Sequence, residues 1–227
     1  MRQISIRNYI VAGIITLLVF VTGIMLGVTT SESRVSFSEE QISIHRLELD
    51  SLQLQYLFID QQNAQSNCAA ISLALEDNVK KLAVLGDKIE TFSKDINFNE
   101  KEFDTLKREY VLAQIRYWLI AEKAKKICST DTVSVLYFYS NEEECFDCST
   151  QSRILTHLKG TFKDKLLVFS IDSSFTQEPL VPILRHTYNI TKFPSLAIEG
   201  EPLYGLVKEE ELSKKLCSIY VNKPEGC

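Results

Sequence analysis

Proline and glycine are scarce in this chain, with five and eight occurrences in 227 residues. From about residue 36 to 128 there is no proline and a single glycine, Gly86. That stretch lacks the two residues that most disfavour a helix interior, and it reads as helical. No cluster of Lys or Arg occurs and the formal net charge is −5, so nothing points to a nucleic-acid partner. Around Cys145-Phe-Asp-Cys148 no second Cys/His pair stands at ligand spacing, and His157 is isolated, so neither a metal nor another cofactor is expected. Charge is missing altogether from the twenty residues Tyr9 to Val28.

That uncharged stretch is long enough, at roughly 1.5 Å per residue, to cross a hydrocarbon core of about 30 Å. A cleaved signal peptide would have a shorter apolar core of roughly 7–15 residues, followed by a small-x-small cleavage site. Arg2 and Arg7 precede the stretch, while Glu32, Glu39 and Glu40 follow it with only Arg34. The expectation is a cytoplasmic segment 1–8, a transmembrane helix 9–28, and an extracytoplasmic remainder. Gly23 and Gly27 form a GxxxG pair, but a lone match leaves the oligomeric state open.

Residues 36–128 carry three apolar stripes at alternating spacings of three and four, one each from Ile42 to Ile59, Cys68 to Ile96 and Phe103 to Ile127. Ser38 with Gln41 reads as a capping box, and Asn99 with Glu102 as a second helix start. His45, Tyr56, Tyr110, Tyr117 and Trp118 read as packing residues. The segment is expected to be a helical stalk or small bundle. A turn near Asn97-Phe98-Asn99 makes the second and third helices antiparallel and nearly equal in length. Cys68 opens one and Cys128 closes the other, with residue 98 midway between them. The two cysteines therefore meet at the open end of a hairpin. A bridge there would be worth about 4 kcal/mol in the chain-entropy model. Six cysteines in an oxidising compartment favour the bridge over two buried thiols.

Beyond Cys128 the pattern changes. Thr132 to Tyr139 and Leu166 to Ile171 are β-branched and aromatic runs and read as buried strands. Helical spacing covers Cys148 to Phe162 and Leu180 to Tyr188. Ser195 to Ile198 and Leu203 to Val207 form a strand pair around Glu199-Gly-Glu-Pro202, and a last helix starts at Lys208. The order is β-α-β-α-β-β-α over 130–220, followed by a tail at 221–227. In that tail Cys227 lies near enough in sequence to pair with Cys217. Asn189-Ile-Thr191 fits a glycosylation sequon. The CxxC spacing alone is shared by zinc half-sites and short bridges. Its position between a strand and a helix start points to redox chemistry, because unpaired N–H groups and the helix dipole favour a thiolate there.

The element order, the CxxC after the first strand, and Tyr188-Asn-Ile-Thr-Lys-Phe-Pro-Ser-Leu-Ala-Ile198 together resemble the thioredoxin superfamily. More loosely, the whole layout resembles membrane-anchored members with a helical spacer. The resemblance implies an α/β thioredoxin-like domain in which Pro194 is cis and faces Cys145. It also implies that Phe193 and Pro194 bind the partner chain. The implied chemistry is thiol–disulfide exchange on protein thiols or disulfides, with Cys145 attacking and Cys148 resolving. Oxidation or isomerisation is favoured over reduction, since a cysteine-free span offers electrons no route outward. Cys68, Cys128, Cys217 and Cys227 are left as two structural pairs.

Departures from the family lower the expected reactivity. Glu144 stands where these proteins usually carry tryptophan, and Tyr137 lies near the usual place of a buried acid. Glu142, Glu143, Glu144 and Asp147 should raise the Cys145 pKa against the helix dipole. The alternative reading is a non-enzymatic envelope scaffold or binding module whose CxxC is a structural disulfide.

Overall fold

The computed structural model describes residues 10–25, 51, 53–54, 57–58, 68–93 and 100–227, with the backbone alone at 92, 93 and 100. The stripe from Ile42 to Ile59, both proposed helix caps at Ser38 and Asn99, the 97–99 turn, Ile96 and Gly27 lie outside the described residues. The chain forms two compact units, Met1–Phe58 and Ile59–Cys227.

In the first unit, residues 10–25 form a helix, α1, whose side chains are all exposed. Thr16 and Thr22 donate their hydroxyls to the carbonyls of Ala12 and Leu18, both at 2.9 Å, so neither needs a partner outside the helix. Of the expected span 9–28, the ends 9 and 26–28 lie outside the described residues. Among the described residues, no helix is long and apolar enough to cross a membrane.

In the second unit, α2 (Cys68–Ser93) and α3 (Glu100–Cys128) pack as an antiparallel hairpin. Ile71, early in α2, packs with Ile120 and Ala124, late in α3, while Leu85 packs with Leu106 and Ala113. These contacts follow the two apolar stripes. Asn78, in the α2 stripe, is buried and donates its amide to the Ala74 carbonyl at 2.8 Å.

Four strands follow: β1 (Val133–Tyr139), β2 (Leu166–Asp172), β3 (Ser195–Ile198) and β4 (Glu201–Tyr204). They form one mixed sheet in the order β2-β1-β3-β4. β1 and β2 are parallel, joined through α4 (Cys148–Phe162), whereas β1–β3 and β3–β4 are antiparallel. Residues alternate across the pleat of β1. Val133, Val135 and Tyr137 meet Leu155, Leu158 and Phe162 of α4, with Leu212 and Leu216 of α6 (Glu209–Ile219). Leu136 and Phe138 meet Val181 and Leu184 of α5 (Leu180–Thr187) on the opposite face. Burial on both faces explains why β1, apart from Ser134, is an apolar and aromatic run rather than an alternating one.

Two features depart from the sequence reading. β4 covers Glu201–Tyr204 rather than Leu203–Val207, because Glu199 (φ 51°) and Gly200 (φ 86°) close a two-residue hairpin that pairs Ile198 with Glu201. The helical segment expected to be a spacer also contributes α3 to the sheet's own core. Val111 and Ile115 join the cluster around Leu136, Phe138, Phe169 and Ile171, on a second face of the helix. Gln114 donates to the Ser170 carbonyl (3.0 Å) and accepts from its N–H (2.8 Å), so it satisfies the free side of edge strand β2. Lys107–Asp172, Arg108–Glu178 and Lys125–Glu199 ion pairs tie the rest of α3 to the loops at both ends of the sheet.

Candidate functional site

β1 ends at Tyr139, and the chain then turns sharply about Asn141. The Asn141 carbonyl accepts the N–H groups of Glu144 (3.2 Å) and Cys145 (3.0 Å). Its side-chain oxygen accepts the Glu144 N–H at 2.9 Å. Ser140 donates its hydroxyl to the Glu144 carboxylate, which occupies the carboxylate within the loop. Cys145 therefore lies in the loop, and Cys148 is the first residue of α4. The two are joined as a disulfide with Cα atoms 5.4 Å apart. Asp147 holds the N-cap position without a side-chain cap hydrogen bond. The dipole end of α4 is thus left without a capping side chain beside the disulfide.

Tyr137 lies beneath the motif, 3% exposed, and donates its hydroxyl to the Cys148 carbonyl at 2.7 Å. Burial pushes its pKa up to about 12, so the group under the disulfide is a neutral donor. A buried carboxylate in that place could take the Cys148 proton; this phenol holds its own. Tyr139 stacks on Tyr137 with ring centroids 5.6 Å apart. Its phenol is also pushed up, first by burial and then by the nearby Asp172 carboxylate and the Tyr110 and Tyr137 phenols. Gln151, one helical turn beyond Cys148 and fully buried, accepts the Val207 N–H at 2.8 Å, while its own amide nitrogen has no partner. The i, i+3 spacing from Cys148 was the sequence signal for Gln151, and a polar residue in an apolar stripe is easily read as solvent-facing.

The Phe193–Pro194 bond is cis. Pro194 immediately precedes β3, whose Ser195 pairs with Phe138 near the end of β1. The Pro194 carbonyl accepts the Gly205 N–H at 2.8 Å. Phe193 is half-buried, with the Arg185 guanidinium 5.2 Å from its ring centre, a partner the sequence did not reveal. Cys145, Cys148, Phe193 and Pro194 therefore gather at the end of the sheet where β1 finishes and β3 begins.

The other four cysteines lie at the opposite end. Cys68–Cys128 (Cα–Cα 5.6 Å) closes the helical hairpin just before β1 starts. Cys217–Cys227 (Cα–Cα 5.5 Å) holds the tail after α6. The residues before that tail's last turn are bound to Asp131, whose carboxylate accepts the N–H groups of Val221 and Asn222 (both 3.0 Å) and the Lys165 ammonium (3.1 Å). Exposure differs sharply within the CxxC: Cys145 is 4% and Cys148 8% exposed, but Phe146 between them is 93% exposed.

A four-stranded mixed α/β sheet with a bridged CxxC at a helix start and a cis proline beside it defines the class of structure. No family model matches the chain, and no curated protein matches it. Similar solved structures include a malarial protein, with 18% identity over 40% of this chain and 99% of that one, at a TM-score of 0.33. Chloroplastic thioredoxin z is 18% identical over 44% of this chain and 88% of its own, at 0.34. Deadhead, a germline-specific thioredoxin of Drosophila melanogaster, is 19% identical over 44% and 92%, at 0.32.

Proposed function

We propose that the chain is a thioredoxin-like thiol–disulfide oxidoreductase acting on protein thiols, with Cys145 as the attacked or attacking sulfur and Cys148 as the resolving one. The observation that carries this reading is the Cys145–Cys148 bridge between β1 and α4, at the same sheet end as the cis Phe193–Pro194 bond. In the oxidising direction, a partner thiolate attacks the Cys145 sulfur. A mixed disulfide forms, the Cys145–Cys148 bond breaks, and Cys148 leaves as a thiolate stabilised by the α4 dipole. A second partner thiolate then attacks the partner's own sulfur in the mixed disulfide and expels Cys145. Two electrons and two protons pass from the partner dithiol to the pair, and the same steps in reverse reduce a partner disulfide. The twenty uncharged residues 9–28 and the exposed apolar side chains of α1 support a membrane tether, and Arg2 and Arg7 before that stretch support an outward-facing α/β domain.

A second reading, a binding module with a structural CxxC disulfide, is favoured by one observation, the near-complete burial of Cys145. Trapping separates the two. The Cys148→Ala protein, challenged with a disulfide-linked peptide, should accumulate a one-to-one mixed disulfide through Cys145. It should do so faster than an unfolded peptide of sequence 140–150 carrying the same change. A rate no greater than that of the free peptide would leave only the binding-module reading.

A further inference from the structure

We propose that Phe146 and the free carboxylates beside it select the partner: a cysteine-bearing polypeptide segment that is cationic and apolar next to its thiol. This rests on the exchange reading and narrows it to a substrate class. Phe146 is 93% exposed between two cysteines that are 4% and 8% exposed. A large aromatic ring held almost wholly in water contributes nothing to the core, and the loop around it is set by Asn141 and Ser140 without it. Its apolar surface is withdrawn from water only when another molecule covers it. Any chain that brings a sulfur to Cys145 meets this ring beside the bridge.

Charge decides what kind of chain that is. Glu142 and Glu143 are exposed and Asp147 is half-buried, and among the described residues none of the three carries a side-chain hydrogen bond or ion pair. Glu144 differs, being held by Ser140. Three uncompensated carboxylates within six residues of each other, flanking a ring that needs cover, attract a segment bearing Lys or Arg and repel anionic thiols. On the cis-proline side the nearby cations are Arg185, 5.2 Å from the Phe193 ring centre, and Lys192, 6.0 Å from the Tyr204 ring centre. The positive end of a bound segment is therefore drawn to the cysteine loop rather than to the proline.

The test uses the full chain in its disulfide form and three single-cysteine peptides. One has Lys and Leu flanks, one Glu and Leu flanks, and one Lys and Ser flanks. Release of the Cys148 thiol is followed by quenching and alkylation. Each rate is divided by that peptide's rate with a small neutral disulfide, which removes differences in thiol pKa. The Lys/Leu peptide should react at least about tenfold faster than the Glu/Leu peptide at low ionic strength, with the ratio shrinking in high salt. It should exceed the Lys/Ser peptide by about tenfold, the scale set by covering one aromatic side chain. In Phe146→Ser the Leu-over-Ser ratio should fall toward one. In Glu142→Gln/Glu143→Gln the Lys-over-Glu ratio should fall toward one. Because each readout is a ratio within one protein, a change in intrinsic disulfide reactivity does not mimic it. Equal normalised rates for all three peptides would overturn the proposal while leaving exchange intact. Failure of every peptide and of dithiothreitol to open the bridge would overturn both.

Discussion

Replacing Gln114 with methionine should destabilise the second unit by about 3 kcal/mol. The side chain is 3% exposed and spends both ends of its amide on one residue of β2, with hydrogen bonds of 3.0 and 2.8 Å to the Ser170 carbonyl and N–H. β2 is an edge of the sheet, so those two backbone groups have no strand to pair with on that side. Each hydrogen bond contributes roughly 1 kcal/mol net, and leaving a buried backbone group without a partner adds about 1–3 kcal/mol. Partial access of water to Ser170 lowers the total, giving a range of about 2–4 kcal/mol. Methionine keeps the length and apolar contact of the side chain, so the change isolates the hydrogen bonds from packing. Urea unfolding with all disulfides oxidised measures it. With a slope of about 2 kcal/mol per molar, the midpoint should fall by roughly 1.5 M at unchanged slope. A loss below about 0.5 kcal/mol would refute the claim that α3 stabilises the sheet edge through this residue.

Two further outcomes follow from the cited groups. Tyr137→Phe removes the hydroxyl that meets the Cys148 carbonyl and should cost about 1–2 kcal/mol by urea unfolding. In the parent protein the folded pKa of Tyr137, about 12, lies above the usual phenol value near 10, so its contribution is complete below about pH 10 and is lost as pH rises toward 12; the variant should lack that alkaline loss. At Asp131, burial works to raise the carboxyl pKa, but the Val221 N–H, the Lys165 ammonium and the Asn222 N–H outweigh it and hold it below the usual value. A depressed carboxyl stabilises the fold above the ordinary value near 4, and the effect is lost as pH falls through the folded pKa. Asp131→Asn should therefore lower the urea midpoint at neutral pH and differ little from the parent in strong acid.

Much of the C-terminal architecture was legible because its elements are short and strongly patterned. β1 is mostly β-branched or aromatic, β2 runs Leu-Leu-Val-Phe before its first polar residue, and α4 starts where the apolar spacing changes, at Cys148. Helix rise and turn position were enough to bring Cys68 and Cys128 together, and the two are bonded. α3 was legible on one face only. Its stripe packs on α2 through Leu106, Ala113, Ile120 and Ala124, but Tyr117 of the same stripe meets Phe169, and Val111 and Ile115 form a second stripe for the sheet. A helix apolar on two sides is a sandwiched helix, and that signal was present in the sequence beside Trp118. Gln114 was not readable in this way, since a glutamine in a helix is polar until a strand edge is placed beside it. The start of β4 was missed because Glu199 takes a positive φ usually left to glycine or asparagine.

The sequence by itself determined the element order, the hairpin geometry, and the setting of Cys145 and Cys148 between a strand and a helix. All of these depend on local periodicity and chain direction. Only the tertiary structure decided what surrounds the disulfide. It placed a neutral phenol under Cys148, the other two bridges at the far end, and Phe146 in open water. Those relations depend on how strands and helices pair across large sequence separations. A periodic pattern says which face of an element is apolar, but not what lies against it.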